Sequence, residues 1–331
     1  MASERIRYID VAKGILIILL VFAHFRSAVI RLPYESLYFE YVYGWNNIFT
    51  CFYMPAFFVI SGYCSNFKKP AKVFISSLLK SLLLPIVTLS LLVVVFTSLI
   101  YHQDLLLNLK QCVLHGGELW FLWALLIGKA IVYSIENLKF INWGGQKTVI
   151  ITFLLLVLGV ALNQYKIGGN LLYYKHALIS SFWIAVGAFL HTHSQIYEKS
   201  LKWSFFAYPI VAVASFFKTS DIVAGIYISM LTIPLHLFYS FFGTAFLLVI
   251  CKKIVSCNWL EFWGKNSLIV YALHFVPLLF FANYLWGVFH PETVWVFISY
   301  IIALYTIEYS ICWLLMKVFQ FKPLSWLVGK F

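Results

Sequence analysis

The chain is divided almost from end to end into apolar stretches long enough to cross a lipid bilayer. A transmembrane helix needs about 20 mostly apolar residues. Ten stretches approach this length, at about 9–30, 45–66, 76–100, 119–138, 148–163, 177–193, 203–217, 235–251, 266–287 and 294–316. Little chain remains between them for a soluble domain. We therefore predict an all-α, polytopic membrane helix bundle of about ten transmembrane helices, with residues 1–331 forming a single domain.

The composition excludes an ordinary soluble enzyme. Of the 331 residues, 63% are hydrophobic and 11% are charged, with a mean hydropathy of +0.89. Soluble domains are closer to half apolar and about a quarter charged. The six cysteines form no Cys-x-x-Cys pair and mostly lie in apolar runs. We expect them to be small buried side chains, and we expect no metal site.

The basic residues indicate how the helices are oriented, because cytoplasmic helix ends carry an excess of Lys and Arg. With the N-terminus placed in the cytoplasm, seventeen of the 24 Lys and Arg residues fall at cytoplasmic ends, six fall on the opposite side, and Lys129 lies inside a span. We therefore predict that both termini are cytoplasmic. The net charge of +12 then reflects topology rather than nucleic-acid binding, although it would also attract an anionic cytoplasmic ligand.

The first span carries three ionisable residues, which are costly in a membrane and are therefore functional candidates. The eleven steps along the helix from Lys13 to His24 return to within about 20° of the same helix face. They separate the two side chains by roughly 16 Å. Asp10 lies on the same stripe, about one turn before Lys13. A neutral imidazole accepts a proton from a hydroxyl near pH 7, which makes His24 a candidate general base.

Each of these residues also has a purely structural interpretation. Asp10 would cap the helix, Lys13 would extend its ammonium group to the membrane surface, and His24 would bond a neighbouring helix. In the ninth and tenth spans, His274 and Glu308 lie at similar depth, so we predict that they pair, chiefly as a structural hydrogen bond. For Lys129, an ion pair and a role in ligand binding are equally favoured.

Five segments together resemble the acyltransferase-3 family of integral membrane acyltransferases, especially its sugar O-acetyltransferase branch. The most specific is Arg-Tyr-Ile-Asp-Val-Ala-Lys-Gly at 7–14, followed by His24 eleven positions after Lys13. The others are Met-Pro-Ala-Phe-Phe-Val-Ile-Ser-Gly-Tyr at 54–63, Gly-Glu-Leu-Trp-Phe-Leu at 117–122, Phe-Trp-Ile-Ala-Val-Gly at 182–187 and Gly-Lys-Asn-Ser-Leu-Ile-Val-Tyr-Ala-Leu-His at 264–274.

The chain departs from the family pattern at two positions. Tyr53 stands where members of the sugar branch often have His before Met-Pro. Ser81 stands where the third span often has Arg four residues before a proline, here Pro85, and Lys80 is the basic residue beside it.

The resemblance implies an enzyme that takes an acyl group from a cytoplasmic acyl-CoA, most simply acetyl-CoA. The group would pass to a hydroxyl of a cell-surface polysaccharide or lipid-linked sugar, at the plasma membrane of a bacterium. His24 would act as general base or as an acyl relay, and Asp10 is a second catalytic candidate. Lys13 and Lys80 would bind the polyanionic donor. The donor site would also include three candidates for stabilising the tetrahedral intermediate near His24, namely Ser61, Tyr63 and Asn266.

A transporter or flippase for a lipid-linked sugar or small solute is the alternative from another class. The ten spans and the intramembrane His and Glu residues would suit it as well. It predicts movement of a ligand without consumption of acyl-CoA. The sequence gives no prediction of the oligomeric state, because apolar surface that faces lipid carries no association signal.

Overall fold

The computed structural model describes residues 6–29, 37–138, 145–169, 171–217, 229–254 and 256–329, which contain helices and no strand. A π-helical segment, Leu79–Leu83, continues α5 into α6. In chain order the α-helices are α1 (Arg7–Ala23), α2 (Phe25–Val29), α3 (Leu37–Thr50), α4 (Tyr53–Tyr63), α5 (Ala71–Leu78), α6 (Leu84–Ile100), α7 (Leu105–His115), α8 (Trp120–Glu136), α9 (Gly145–Gln164), α10 (Tyr174–Thr192), α11 (Ser194–Phe217), α12 (Ile233–Ile254), α13 (Asn258–Lys265), α14 (Ser267–Leu273), α15 (Phe275–Phe289), α16 (Val294–Val318) and α17 (Lys322–Ser325).

Helices lie at all ten predicted spans, and the all-α prediction is confirmed for the described residues. Four helical segments in this part of the chain are long and apolar enough to cross a bilayer, and there are five when the bent pair α14–α15 is counted as one span. The ten-span topology and the cytoplasmic termini therefore stay predictions. Five of the basic residues counted for that topology lie outside the described residues: Arg5, Arg31, Lys139, Lys218 and Lys330.

Two spans that we predicted as single helices are broken four residues before a proline. Pro55 lacks the N–H that would bond the Cys51 carbonyl, and the Ser240 hydroxyl donates to that carbonyl instead, at 2.7 Å. The sequence predicts this kink at Pro55. Pro277 likewise removes the bond to the Leu273 carbonyl, and α14 and α15 meet there at 51°. The predicted span at 266–287 is therefore bent before Pro277.

Glycines let two pairs of helices pack backbone against backbone. A Cβ atom at Gly14 in α1 would overlap the Leu260 carbonyl of α13, and one at Gly264 in α13 would overlap the Asp10 carbonyl of α1. Gly62 of α4 and Gly187 of α10 face carbonyls of each other's helices in the same way. Such close approach is typical of packing between membrane helices. It fixes α1 against the segment that leads into α14.

The outer face of α11 supports a lipid environment. Phe206, Ile210 and Val213 follow a helical spacing and are 73%, 73% and 62% exposed. A contiguous apolar stripe of this kind is costly in water and is expected where lipid covers it.

The six cysteines are all free. Cys51, Cys251 and Cys312 are buried, as predicted, whereas Cys64 is exposed. Cys64 follows the last residue of α4, where the chain leaves the helix.

Candidate active site

A cavity of about 670 Å³ lies between α1, α2, α6, α7, α8, α14 and α15. Many of the side chains that line it are polar. The polar side chains that line it are His24, Ser27, Ser90, Thr97, Tyr101, Gln103, Asn108, Gln111, Cys112, His115, Glu118, Tyr271 and His274. Such a lining can form several hydrogen bonds to a hydroxyl-rich molecule.

His24 lies in the turn between α1 and α2, so the predicted span 9–30 is not one helix. The Leu20 carbonyl accepts both the backbone N–H of His24, at 3.1 Å, and Nδ1 of its ring, at 2.9 Å. A carbonyl only accepts, so Nδ1 carries the proton in the neutral ring. The lone pair is then on Nε2, and the half-buried side chain lines the cavity.

His274 lies in the bend between α14 and α15 and has the same arrangement. Its Nδ1 donates to the Val270 carbonyl at 2.8 Å and to the Tyr271 carbonyl at 3.0 Å. The residue is only 2% exposed. Its Nε2 is buried and has no hydrogen-bond partner within the described part of the chain. The acceptor of this ring is therefore enclosed by the protein.

The two rings contact each other. Their centroids lie 4.8 Å apart with an interplanar angle of 69°, an edge-to-face arrangement. The predicted pair of His274 and Glu308 is therefore wrong. Glu308 is fully buried and its Oε1 accepts from the Cys312 thiol instead, while its Oε2 has no partner among the residues described. The two helices do bring both residues into the core, but the side chains face different neighbours.

Tyr271 adds a hydroxyl to the wall that carries His274. Its oxygen accepts the backbone N–H of Phe121, in the first turn of α8, at 3.1 Å. That bond uses an oxygen lone pair, so the hydroxyl hydrogen is left to donate. The cavity is thus lined by the imidazole of His24 and the phenol of Tyr271, beside the enclosed acceptor of His274. This combination suits general acid–base chemistry with stabilisation of an oxyanion.

The other residues predicted on the α1 stripe lie far from the cavity. Asp10 is 3% exposed and is fourteen residues before His24, about 21 Å along the helix. α1 begins at Arg7 with Ile6 as its N-cap, so Asp10 does not cap the helix. Lys13 is half-buried between them, and Lys80 is exposed on the π-helical segment.

The three predicted donors near His24 do not line its cavity. The Ser61 carbonyl accepts the Ser65 hydroxyl at 2.7 Å. The Tyr63 ring packs against Tyr197, with centroids 5.5 Å apart. Asn266 is 2% exposed, and its amide donates to the Phe262 carbonyl at 2.7 Å. In this structure they do not meet His24, and a role for them in donor binding stays a prediction.

An ionic cluster ties the start of α1 to α13. Arg7 contacts the Glu261 carboxylate at 2.8 Å, and Lys265 contacts it at 3.2 Å. Arg7 also donates to the Asn258 side chain at 3.2 Å. The hydrogen bond from Arg7, and then that from Lys265, hold the pKa of Glu261 below its ordinary value. The cluster supports the close packing of Gly14 and Gly264.

Two elements of the site were missed in the sequence. His274 was interpreted as a partner of Glu308, and Tyr271 was not singled out. Tyr271 and His274 are three residues apart, a spacing that places both on one helix face. Pro277, three residues later, marks the bend. Within the described residues, no group of three or more His, Cys, Asp or Glu side chains is arranged to hold a metal ion.

The fold and the cavity define a helical protein with apolar, membrane-type helices and a cavity lined in part by two histidines and a tyrosine. The model of the acyltransferase-3 family, an acyltransferase domain, matches residues 6–317. The chain therefore belongs to this family, which confirms the resemblance and implies acyltransferase activity in a membrane. Neither the curated proteins nor the solved structures give a match to the chain.

Proposed function

We propose that this protein is a multi-pass O-acyltransferase of the plasma membrane. It transfers an acyl group, most simply acetyl, from a cytoplasmic acyl-CoA to a hydroxyl of a cell-surface polysaccharide or lipid-linked sugar. The observation that carries the proposal is that His24, whose Nδ1 is held by the Leu20 carbonyl, lines a cavity of about 670 Å³. That volume lies within the range of about 300–1,000 Å³ that is usual for small-molecule sites.

In the direct route, the acceptor hydroxyl gives its proton to Nε2 of His24 while its oxygen attacks the thioester carbonyl carbon. The carbonyl electron pair moves onto oxygen, and the Tyr271 hydroxyl donates to this oxyanion. When the tetrahedral intermediate collapses, the carbon–sulfur bond breaks. The His24 imidazolium returns its proton to the leaving thiolate. The products are an ester and the free thiol of coenzyme A, with no net change in protons or electrons.

A two-step route through His24 gives the same products. Nε2 itself attacks the thioester carbonyl carbon, the carbon–sulfur bond breaks and coenzyme A leaves as a thiolate. The acceptor hydroxyl then attacks the acyl carbon, the carbon–nitrogen bond breaks, and the hydroxyl proton goes to the thiolate. The two routes differ in one observable. The relay leaves labelled acyl group on the protein when no acceptor is present, and direct transfer does not.

The donor's phosphates lie at the other end of α1 in this proposal. Lys13 is about 16 Å from His24 along the helix axis, a distance that the long pantetheine arm of coenzyme A spans in an extended form. Its ammonium group, with exposed Lys80 on the third span, offsets the negative charge of the phosphates. This arrangement brings the thioester, and not the nucleotide, to the cavity.

The first test is donor binding, which needs no known acceptor. The purified protein in detergent is heated with acetyl-CoA, succinyl-CoA or free coenzyme A. We expect a saturable rise in the unfolding midpoint with a CoA thioester, and loss of that rise in Lys13→Gln. No shift with any of these compounds would contradict the proposal. Ligand movement in vesicles without release of coenzyme A would establish the transporter alternative.

The second test is transfer from labelled acetyl-CoA to the glycans of membranes that contain the protein. We expect His24→Ala to abolish the transfer while its insertion and unfolding midpoint are retained. His290→Asn is the matched control, since His290 is an exposed histidine at the end of α15 in a left-handed conformation that Asn tolerates. Full activity in His24→Ala would remove His24 from the mechanism.

A further inference from the structure

One wall of the cavity is a short helix, α7, whose polar face is turned inward. Four of its side chains line the cavity: Asn108, Gln111, Cys112 and His115. Their spacing of three and four residues places them on one face of the helix. A helix on the surface of a soluble domain has the opposite arrangement, because its apolar face packs on the interior.

The opposite face of α7 is apolar and exposed. Leu106 and Val113 are 77% and 76% exposed, and Leu107 beside them is 53% exposed. Lys110, which is also exposed, lies between Leu106 and Val113 at helical spacing. At about 100° per residue, this stripe of Leu106, Lys110 and Val113 is centred about 180° from the face that lines the cavity. The helix is therefore amphipathic with its apolar side outward.

The helix lies where a membrane-type segment ends. α6, the helix before it, belongs to a segment that is long and apolar enough to cross a bilayer. Exposed apolar residues recur at every fourth position of α6, at Val87, Leu91, Val95 and Leu99. α7 has only 11 residues and is about 16 Å long, too short to cross a bilayer itself. The lipid-facing stripe of α6 thus leads to the exposed stripe of α7.

Hydrogen bonds fix which face of α7 points outward. The Asn108 amide donates to the Ser98 hydroxyl of α6 at 3.0 Å, on the side of the cavity. At the end of the helix, the Gly116 carbonyl accepts the indole N–H of Trp123 in α8, at 3.0 Å. Because both neighbours hold it, α7 cannot turn its apolar stripe inward without breaking these bonds.

We infer that α7 is a membrane-interface helix, which docks on the surface of the lipid bilayer through Leu106, Lys110 and Val113. The two apolar side chains enter the boundary between headgroups and acyl chains, and the Lys110 ammonium group contacts lipid phosphates. The bilayer surface then holds one wall of the cavity in place. This inference goes beyond the proposed function, since it concerns the wall and not the chemistry inside it.

Photolabelling of the unmodified protein tests the docking. The full-length protein is placed in nanodiscs of phosphatidylethanolamine and phosphatidylglycerol that contain a phospholipid with a diazirine in its acyl chain. Mass spectrometry of peptides then locates the carbene adducts. We expect adducts at Leu106 and Val113 and none at Gln111 or His115, which face the cavity.

A water-soluble diazirine serves as the opposite probe. Adducts at Leu106 and Val113 from this probe, with none from the lipid, would show that water covers the stripe and would overturn the inference. No adduct from either probe would show that a second copy of the chain or another protein covers it, and would overturn the inference as well.

A charge placed in the stripe tests whether the bilayer holds the wall. We expect Val113→Asp to weaken docking and to raise the rate at which a water-soluble maleimide labels Cys112 in nanodiscs severalfold, because Cys112 is a half-buried part of that wall. Exposed Cys64 is the internal reference. His102→Asp adds the same charge just before α7, at an exposed residue with φ of 52° that Asp tolerates, and should leave the rate unchanged. Equal Cys112 rates in Val113→Asp and the wild type would contradict the inference.

Discussion

His24 and His274 come from opposite ends of the chain, yet their rings meet edge to face with centroids 4.8 Å apart. Each ring lies where a helix is interrupted, His24 between α1 and α2 and His274 between α14 and α15. Interrupted helices leave polar backbone at membrane depth, which is tolerated where it lines a cavity. The contact between these two residues joins the predicted catalytic base to the wall that also carries Tyr271.

The Tyr271 hydroxyl should matter for the chemical step. We expect Tyr271→Phe to lower kcat by about a hundredfold or more, since this is the usual loss when one oxyanion donor is removed. The measurement is acetyl transfer under saturating donor. Tyr284→Phe is the control, because Tyr284 is 61% exposed on α15 and does not line the cavity. An unchanged kcat in Tyr271→Phe would exclude the hydroxyl from the reaction.

Lys13 should act on the donor rather than on the chemistry. If it binds the phosphates, Lys13→Gln raises the KM for acyl-CoA more than it lowers kcat. Steady-state rates over a range of donor concentrations measure both. Lys202→Gln is a suitable control, because Lys202 is exposed near the start of α11 and falls on the same predicted side. A fall in kcat that is larger than the rise in KM would instead indicate a structural or catalytic role for Lys13.

The close approach of α1 and α13 should tolerate no added methyl group. We expect Gly264→Ala to destabilise the protein by about 1–3 kcal/mol or more, because the new Cβ meets the Asp10 carbonyl and the backbones must separate. Thermal unfolding in detergent measures this. Gly287→Ala has open space around the new Cβ, so it should be neutral or slightly stabilising. Equal midpoints for the two variants would show that the packing is not tight.

The ionic cluster at Glu261 should make stability depend on acid pH. Its pKa is held below the ordinary value of 4.5 by Arg7 and then Lys265. Its contribution is therefore present above about pH 4.5 and is lost as the pH falls through the lowered value. We expect the unfolding midpoint to fall less in Glu261→Gln than in the wild type between about pH 5 and about pH 3. Glu292 is exposed, so in Glu292→Gln the unfolding midpoint should fall with pH as steeply as in the wild type.

Much of the helical organisation could be predicted because each helix carries its own signal. The lengths of the apolar stretches correctly predicted helices at all ten spans. Pro55 correctly predicted a kink, which the structure places between α3 and α4. The spacing of Lys13 and His24 placed both on one stripe of the first span, and His24 does line the cavity. Gly14, Gly62, Gly187 and Gly264 stood in the family segments, and each proved to be a point of backbone contact. The number of membrane crossings could not be settled in this way, since the described helices differ in length and several are broken.

The composition and the pattern of the sequence by themselves determined the helical class, the membrane environment and the candidacy of His24. Only the tertiary structure decided that His274 meets His24 and not Glu308, that Tyr271 shares its wall, and that Ser61, Tyr63 and Asn266 lie elsewhere. Helical periodicity gives the face and the depth of a residue on its own helix. It does not say which neighbouring helix that face meets, because the neighbour is set by close packing at glycines and by the bend before Pro277, which act between elements far apart in the chain.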